Sequence, residues 1–153
     1  MVSSDASGQC AVGADGRNPC VAFPFGHGLT FTTFALADHQ ISADADSVTV
    51  AVTVRNTGPR DGAEVVQIYL GLPGDDLTGS PQPPKRLVGF EKVAVAAGDS
   101  AQVRVRIEAA ATNHPFGRWD TATTQWARAS GEYRVYVGTS SSLADLYSEA
   151  VTM

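Results

Sequence analysis

The sequence predicts an all-β protein, a two-sheet antiparallel sandwich of about seven strands. Three observations carry that expectation. Short runs alternate apolar and polar residues with period two, so one face of each can be buried. Clusters of Gly, Pro, Asn and Asp separate these runs at sandwich spacing. Nothing between them has the pattern of a convincing helix. A barrel is the alternative way to close the same series of strands.

Residues 1–22 are rich in Gly, Ser and Asp and carry no periodicity. They read as a linker or a tail from a preceding domain, with the sandwich occupying 23–153. The junction is Phe23-Pro24-Phe25-Gly26-His27-Gly28-Leu29. A first strand region follows at Thr30–Ser42, with Phe31, Phe34, Leu36 and Ile41 as core candidates. Ser47–Arg55 is the clearest strand: Val48, Val50, Val52 and Val54 point one way, and Thr49, Ala51, Thr53 and Arg55 the other. Asn56-Thr57-Gly58-Pro59 ends it with turn chemistry.

Glu64–Leu70 alternates too, but Val66, Ile68 and Leu70 are opposed by Val65, Gln67 and Tyr69, which suits a central strand. Pro73–Pro84 is a long irregular loop, and loops of that length usually touch something or move. Arg86–Val95 reads as a strand pair with Leu87, Val88, Phe90 and Val93, closed by a turn at Gly98-Asp99. Ala101–Glu108 turns Val103, Val105 and Ile107 inward. Thr112–Ala129 is the least regular part, with Trp119 and Trp126 flanking a Thr-rich turn. Gly131–Gly138 holds Tyr133, Val135 and Val137 on one side, and Leu146–Val151 supplies a last edge strand.

Composition limits the function classes. The 153 residues are 43% hydrophobic and 18% charged, which favours a folded globular chain over disorder. Net charge is −5, and nine of the eleven basic residues are scattered arginines, so no basic face for nucleic acid is expected. No apolar run has the length that a membrane span requires. The polar start Val2–Gly8 lacks the apolar segment of a leader peptide, which leaves a cytoplasmic protein or a piece whose leader lies upstream.

Cys10 and Cys20 can form one intramolecular bridge, worth about 2–3 kcal/mol for so short a loop, and a bridge would imply an oxidising compartment. Free thiols are the alternative. Two thiols with no neighbouring histidine are half a zinc shell, so no metal site and no cofactor are expected.

Candidate chemistry is sparse. Asp75-Asp76 are adjacent loop acids rather than a facing pair, and their spacing is not that of an EF-hand calcium loop. His27, His39 and His114 lie far apart in sequence, with no nucleophile elbow beside any serine. His27 reads as a structural residue where Gly26 and Gly28 bring backbones close. Trp119, Trp126, Phe116, Tyr136 and Tyr147 are candidates for stacking on sugar rings. In a sandwich, though, core or interdomain packing is the commoner use of Trp. Lys85-Arg86, at the end of the long loop, could meet acidic groups.

Several segments are distinctive in combination. Phe23-Pro24-Phe25-Gly26-His27-Gly28-Leu29-Thr30-Phe31-Thr32-Thr33-Phe34 resembles the entry into the C-terminal fibronectin type III-like domain of glycoside hydrolase family three, the β-glucosidase family. Val52–Gly58 and Gly62–Leu70 resemble that immunoglobulin-like domain's second and third strands. Pro84–Val93, Trp126 with Gly131-Glu132-Tyr133, and Val137–Ser141 are similar to its later segments, in the same order. The resemblance spans roughly 23–150. It excludes the two cysteines and is loose around Trp119.

In that family the nucleophilic aspartate belongs to a barrel domain and the acid/base to a second domain before the C-terminus, and neither region exists in this sequence. The resemblance therefore implies a non-catalytic accessory module that stabilises or packs against the catalytic domains of a glycoside hydrolase. The interdomain contacts would come from Phe23, Phe25, His27, Lys85 and Arg86. As part of such a parent the chain would be secreted or periplasmic. The alternative is a carbohydrate- or polymer-binding module using Trp119 and Trp126, with polysaccharide as its partner. Neither nucleic acid nor membrane is expected as a partner.

Overall fold

The computed structural model describes residues 22–73 and 82–153. They form β1 (Phe34–Ala43), β2 (Ser47–Asn56), β3 (Gly62–Gly71), β4 (Arg86–Val95), β5 (Ser100–Glu108), β6 (Gly117–Asp120), β7 (Gln125–Arg128), β8 (Glu132–Gly138) and β9 (Tyr147–Thr152). One short 3-10 turn, Leu143–Asp145, precedes β9. Two open sheets stack, β1-β2-β5 and β4-β3-β8-β9, and β6-β7 stands apart as a hairpin. Every pairing is antiparallel. This is the predicted sandwich rather than a barrel.

The alternation read in the sequence sets which side chains meet. Val48, Val50, Val52, Val54, Val103 and Ile107 from the three-stranded sheet face Val66, Ile68, Leu70, Tyr133, Val135, Val137 and Val151 from the other, all in one buried cluster apart from water. Each such aliphatic side chain stabilises by about 1.5–3 kcal/mol on burial. The β2–β5 register runs unbroken from Ser47↔Glu108 to Arg55↔Ser100. As its two-sided apolar pattern predicts, β3 lies between β4 and β8.

Local polar chemistry shapes the ends of the strands. At the β1–β2 turn, Asp44 accepts hydrogen bonds from the Asp46 amide and the Ser47 hydroxyl, both at 2.8 Å. Those bonds, the Asp46 amide first, hold the Asp44 carboxyl below the usual carboxylate range. β1 carries a bulge between Ala37 and Gln40, where Asp38 takes φ 52°. Tyr133 opens β8, and its hydroxyl reaches back to the carbonyl of Ala129 and to that of Phe116 at 3.2 Å. That is the tyrosine corner of sandwich domains.

Asn56 does more than end a strand. Its side chain is fully buried. Its amide donates to the carbonyls of Arg60 (2.7 Å) and Val95 (3.0 Å), while its carbonyl accepts from Thr32 Oγ1 (2.6 Å) and the Gly58 amide (3.1 Å). All four of its hydrogen-bonding positions are used, which joins the entry to β1, the β2–β3 turn and the end of β4.

The two stacked sheets hold the expected seven strands, and among the described residues the stretch Thr112–Ala129 adds β6 and β7 as a separate hairpin. Three expectations need correction. Arg86–Val95 is one strand, with a bulge opposite Ile68/Tyr69. The first strand begins at Phe34 rather than Thr30, so Phe31 is 90% exposed while its neighbour Thr32 is buried. The chain is still a loop at Phe31, and the bond from the Thr32 hydroxyl to Asn56 turns the threonine inward instead. Trp119 and Trp126 lie outside the core, each 45% exposed.

Candidate functional site

Many polar groups among the described residues serve structure. Among the described residues no group of three or more His, Cys, Asp or Glu could hold a metal ion. Asp44 and Asp120 cap turns, and the ion pairs Arg106–Asp44, Arg106–Glu108, Arg128–Asp46 and Arg134–Glu132 involve exposed side chains on the surface. Each histidine lies flat against an aromatic ring: His27 on Phe23 (4.9 Å between centroids), His39 on Tyr147 (4.3 Å) and His114 on Trp126 (4.5 Å). What the molecule does present is two aromatic surfaces.

The first surface is built on the outer face of the four-stranded sheet. On β3 the outward residues Gln67 and Tyr69 are both buried, which an uncovered sheet face would not allow. The entry segment covers Gln67. The His27 amide bonds the Pro24 carbonyl at 2.9 Å in a tight turn, and the Ser141 amide bonds the Phe25 carbonyl at 2.8 Å. Gly26, at φ +84°, lies so close that a Cβ there would sit 2.2 Å from Gln67 Nε2 and 2.7 Å from the Thr139 carbonyl. Only glycine fits that contact.

Beneath the segment, Gln67 Nε2 donates to the Thr139 carbonyl (2.7 Å) and the Tyr69 hydroxyl to Gln67 Oε1. Burial pushes the Tyr69 phenol up. Lys85 Nζ sits 5.7 Å from the centre of the Tyr69 ring, and burial lowers its ammonium. Pinned in this way, the segment leaves its large side chains outside: Phe23 is 70% exposed, Phe25 66%, Leu29 100% and Phe31 90%. Phe90, at 64%, adds an outward apolar side chain from β4, beside a shallow groove of about 310 Å³ lined by Leu87, Val88, Gly89, Phe90, Val105 and Asn113. The outer face of the other sheet is different in kind, carrying Thr49, Thr53, Arg55, Gln102, Arg104 and Arg106.

The second surface is the β6–β7 hairpin. Trp119 pairs with Trp126 across it, with ring centroids 5.8 Å apart at 79°. The opposite face of the hairpin carries Arg118, which is buried, so the indoles are the side turned to solvent. Arg86 holds the approach to this hairpin: its Nη2 donates to the carbonyls of His114 (3.2 Å), Pro115 (2.8 Å) and Gly117 (2.5 Å). At the hairpin tip Asp120 accepts from Thr123 Oγ1 (2.7 Å) and the Ala122 amide (2.9 Å), with the hydroxyl bond first in keeping its carboxyl low.

The sequence-predicted site residues therefore divide. Phe23, Phe25, His27 and Lys85 share the entry surface, and Trp119 and Trp126 share the hairpin. Arg86 was expected at an interdomain contact, and its guanidinium is engaged inside the molecule. Phe116 is buried edge-on to Tyr133, Tyr136 is half-buried, and Tyr147 stacks on His39. Cys10, Cys20, Asp75, Asp76 and most of the loop Pro73–Pro84 lie outside the described residues. Sequence reasoning missed Phe90 as an outward residue and Asn56 as a hub. The breaks in alternation beside Gly89 and before Gly58 were the available signals.

Comparison with known proteins adds the context. The sequence pattern of the fibronectin type III-like domain matches residues 64–141. The chain is 39% identical over 147 residues to probable beta-glucosidase D of Aspergillus niger, covering 83% of this chain and 18% of that protein. Among solved structures it is similar to a beta-glucosidase from Streptomyces venezuelae in complex with D-glucose, with TM-score 0.75, 38% identity, and coverage of 90% of this chain and 16% of that one. A GH3 beta-glucosidase from Bifidobacterium adolescentis gives TM-score 0.76 and 35% identity, covering 88% and 19%. The chain thus spans less than a fifth of the length of these relatives.

Proposed function

The chain belongs to the fibronectin type III-like domain family, and on that premise we propose that it is a non-catalytic accessory module of a β-glucosidase-type glycoside hydrolase, packed against the catalytic part of a longer polypeptide. The observation that carries this reading is the entry segment. It is fastened to the sheet by its backbone while Phe23, Phe25, Leu29 and Phe31 stand out in water. An exposed apolar patch of this kind marks an interaction surface, and the relatives supply several times this chain's length of further polypeptide to cover it. The polar outer face of the other sheet suits solvent. In this role the module stabilises its parent, and bond cleavage takes place elsewhere in the parent.

The test compares Phe23→Ala/Phe25→Ala in two settings. In the isolated 153-residue chain the change should leave the thermal midpoint nearly unmoved, because both rings are already in solvent. In the longer enzyme it should lower the inactivation temperature, since burying each Phe is worth about 1.5–3 kcal/mol. An unchanged inactivation temperature in the longer enzyme would refute the docking role. A secreted or periplasmic parent forms part of the same reading. A Cys10–Cys20 bridge would support it, and peptide mapping under non-reducing conditions checks for that bridge. The alternative of polymer binding rests on the hairpin.

A further inference from the structure

The hairpin surface is built differently from the docking surface, and we infer that Trp119 and Trp126 form a binding corner for a single neutral pyranose ring. Four features of the molecule lead there.

First, the hairpin is folded the unexpected way round. It buries Arg118 and gives two indoles to water, and an exposed large apolar group opposite a buried polar one is the informative inversion of the usual pattern. Second, the corner is preorganised. His114 lies flat on Trp126 at 4.5 Å and 20°, and to do so its backbone adopts φ 45° immediately before Pro115. A left-handed non-glycine residue before proline is strained. Arg86 holds that conformation through its bonds to the carbonyls of His114, Pro115 and Gly117.

Third, the two rings stand at 79° with centroids 5.8 Å apart. A right-angled pair offers a face to the C–H side of a sugar ring and an edge to its rim, whereas a flat protein surface gains little from a corner. Fourth, the rim is rich in hydroxyls. Thr121, Ala122, Thr123, Thr124 and Gln125 are all exposed, with no aliphatic residue larger than alanine among them. The one carboxylate at the tip, Asp120, is occupied by Ala122 and Thr123. The entry segment, by contrast, exposes Phe23, Phe25, Leu29 and Phe31. The patch at the hairpin consists of two indoles bordered by groups that bond hydroxyls.

This inference stands apart from the docking role: either surface can work without the other. The experiment titrates the full 153-residue chain with cellotetraose and, in parallel, with glycerol, following indole N–H resonances and tryptophan fluorescence. Saturable shifts at the two indoles with cellotetraose and none with glycerol are expected, at a Kd in the millimolar range, about 1 mM or weaker, as suits one stacked ring. Trp119→Ala should weaken binding by about tenfold or more, and Trp126→Phe, which keeps the stack on His114, should weaken it less. No saturable shift up to about ten times that Kd, or equal response to glycerol, overturns the proposal. So does a Trp119→Ala chain that folds, by its unchanged core resonances, and binds as before.

Discussion

Replacing Asn56 by alanine tests the most connected side chain in the sandwich. The substitution removes two donated and two accepted hydrogen bonds. The Arg60 carbonyl and the Gly58 amide lie near enough to the surface for water to replace the lost partner. The Thr32 hydroxyl and the Val95 carbonyl belong to buried residues and are left unpaired. Each unpaired buried group costs about 1–3 kcal/mol, so the total for Asn56→Ala should be about 2–6 kcal/mol. For a domain of this size that corresponds to a fall of about 10 °C in thermal midpoint. Urea unfolding followed by circular dichroism reads the free energy directly.

Asn56→Asp sharpens the test. It places a carboxylate against the carbonyl oxygens of Arg60 and Val95, which raises the folded-state pKa of the introduced group above its unfolded value. The sign follows: the variant is least handicapped below that unfolded value, where the protonated group can still donate one bond, and it loses stability as pH rises through the raised folded value. Its deficit relative to the native chain should shrink as pH falls. An Asn56→Ala chain within about 1 kcal/mol of the native one, or an Asn56→Asp deficit independent of pH, would refute the account of Asn56 as a hub.

Other outcomes follow from the same geometry. Gly26→Ala should loosen the entry segment, since its methyl would collide with Gln67 and the Thr139 carbonyl. The sensitive readout is faster hydrogen exchange at the Ser141 amide, with β2 and β5 amides unchanged. Tyr133→Phe should cost about 1–2 kcal/mol, measured by urea midpoint, because the hydroxyl that ties β8 to Ala129 and Phe116 is lost. Burial first, opposed by Asp38, holds His39 below its ordinary pKa. Its contribution is therefore complete above the unfolded value of about 6.5 and is lost as pH falls through the lower folded value. His39→Gln should flatten that part of the stability profile, and an unaltered slope between neutral pH and pH of about 5 would count against it.

The strands that alternate strictly were legible because period two is a local property. Val48 to Val54 declare a buried face whatever lies opposite. The apolar residues on both sides of β3 announced a central position for the same reason. What stayed hidden depends on distant partners. Phe31 looks like a core residue, yet the hydrogen bond from Thr32 to Asn56 decides which of the two neighbours turns inward. Asn56 has the composition of a turn, and its role emerges only when Val95 arrives from 39 residues away. The hairpin was missed because its pattern is inverted, with Arg118 inside and the indoles outside. At the candidate sites, Phe23 and Phe25 were legible as a motif. The engagement of Arg86 with the loop before β6 was not, because carbonyl groups carry no sequence signature.

The covering of the four-stranded sheet by the entry segment bears on where one would cut this module out of a larger gene. The hydrogen-bonded ladder starts at Phe34, and a boundary drawn there preserves every strand. Such a piece would nevertheless strip the lid from Gln67 and leave that amide, with the phenol bonded to it, facing water on a sheet surface shaped to be closed. Trimming by strand limits would also remove Thr32, a buried partner of Asn56, whereas a cut ahead of Phe23 keeps both the lid and that bond in place.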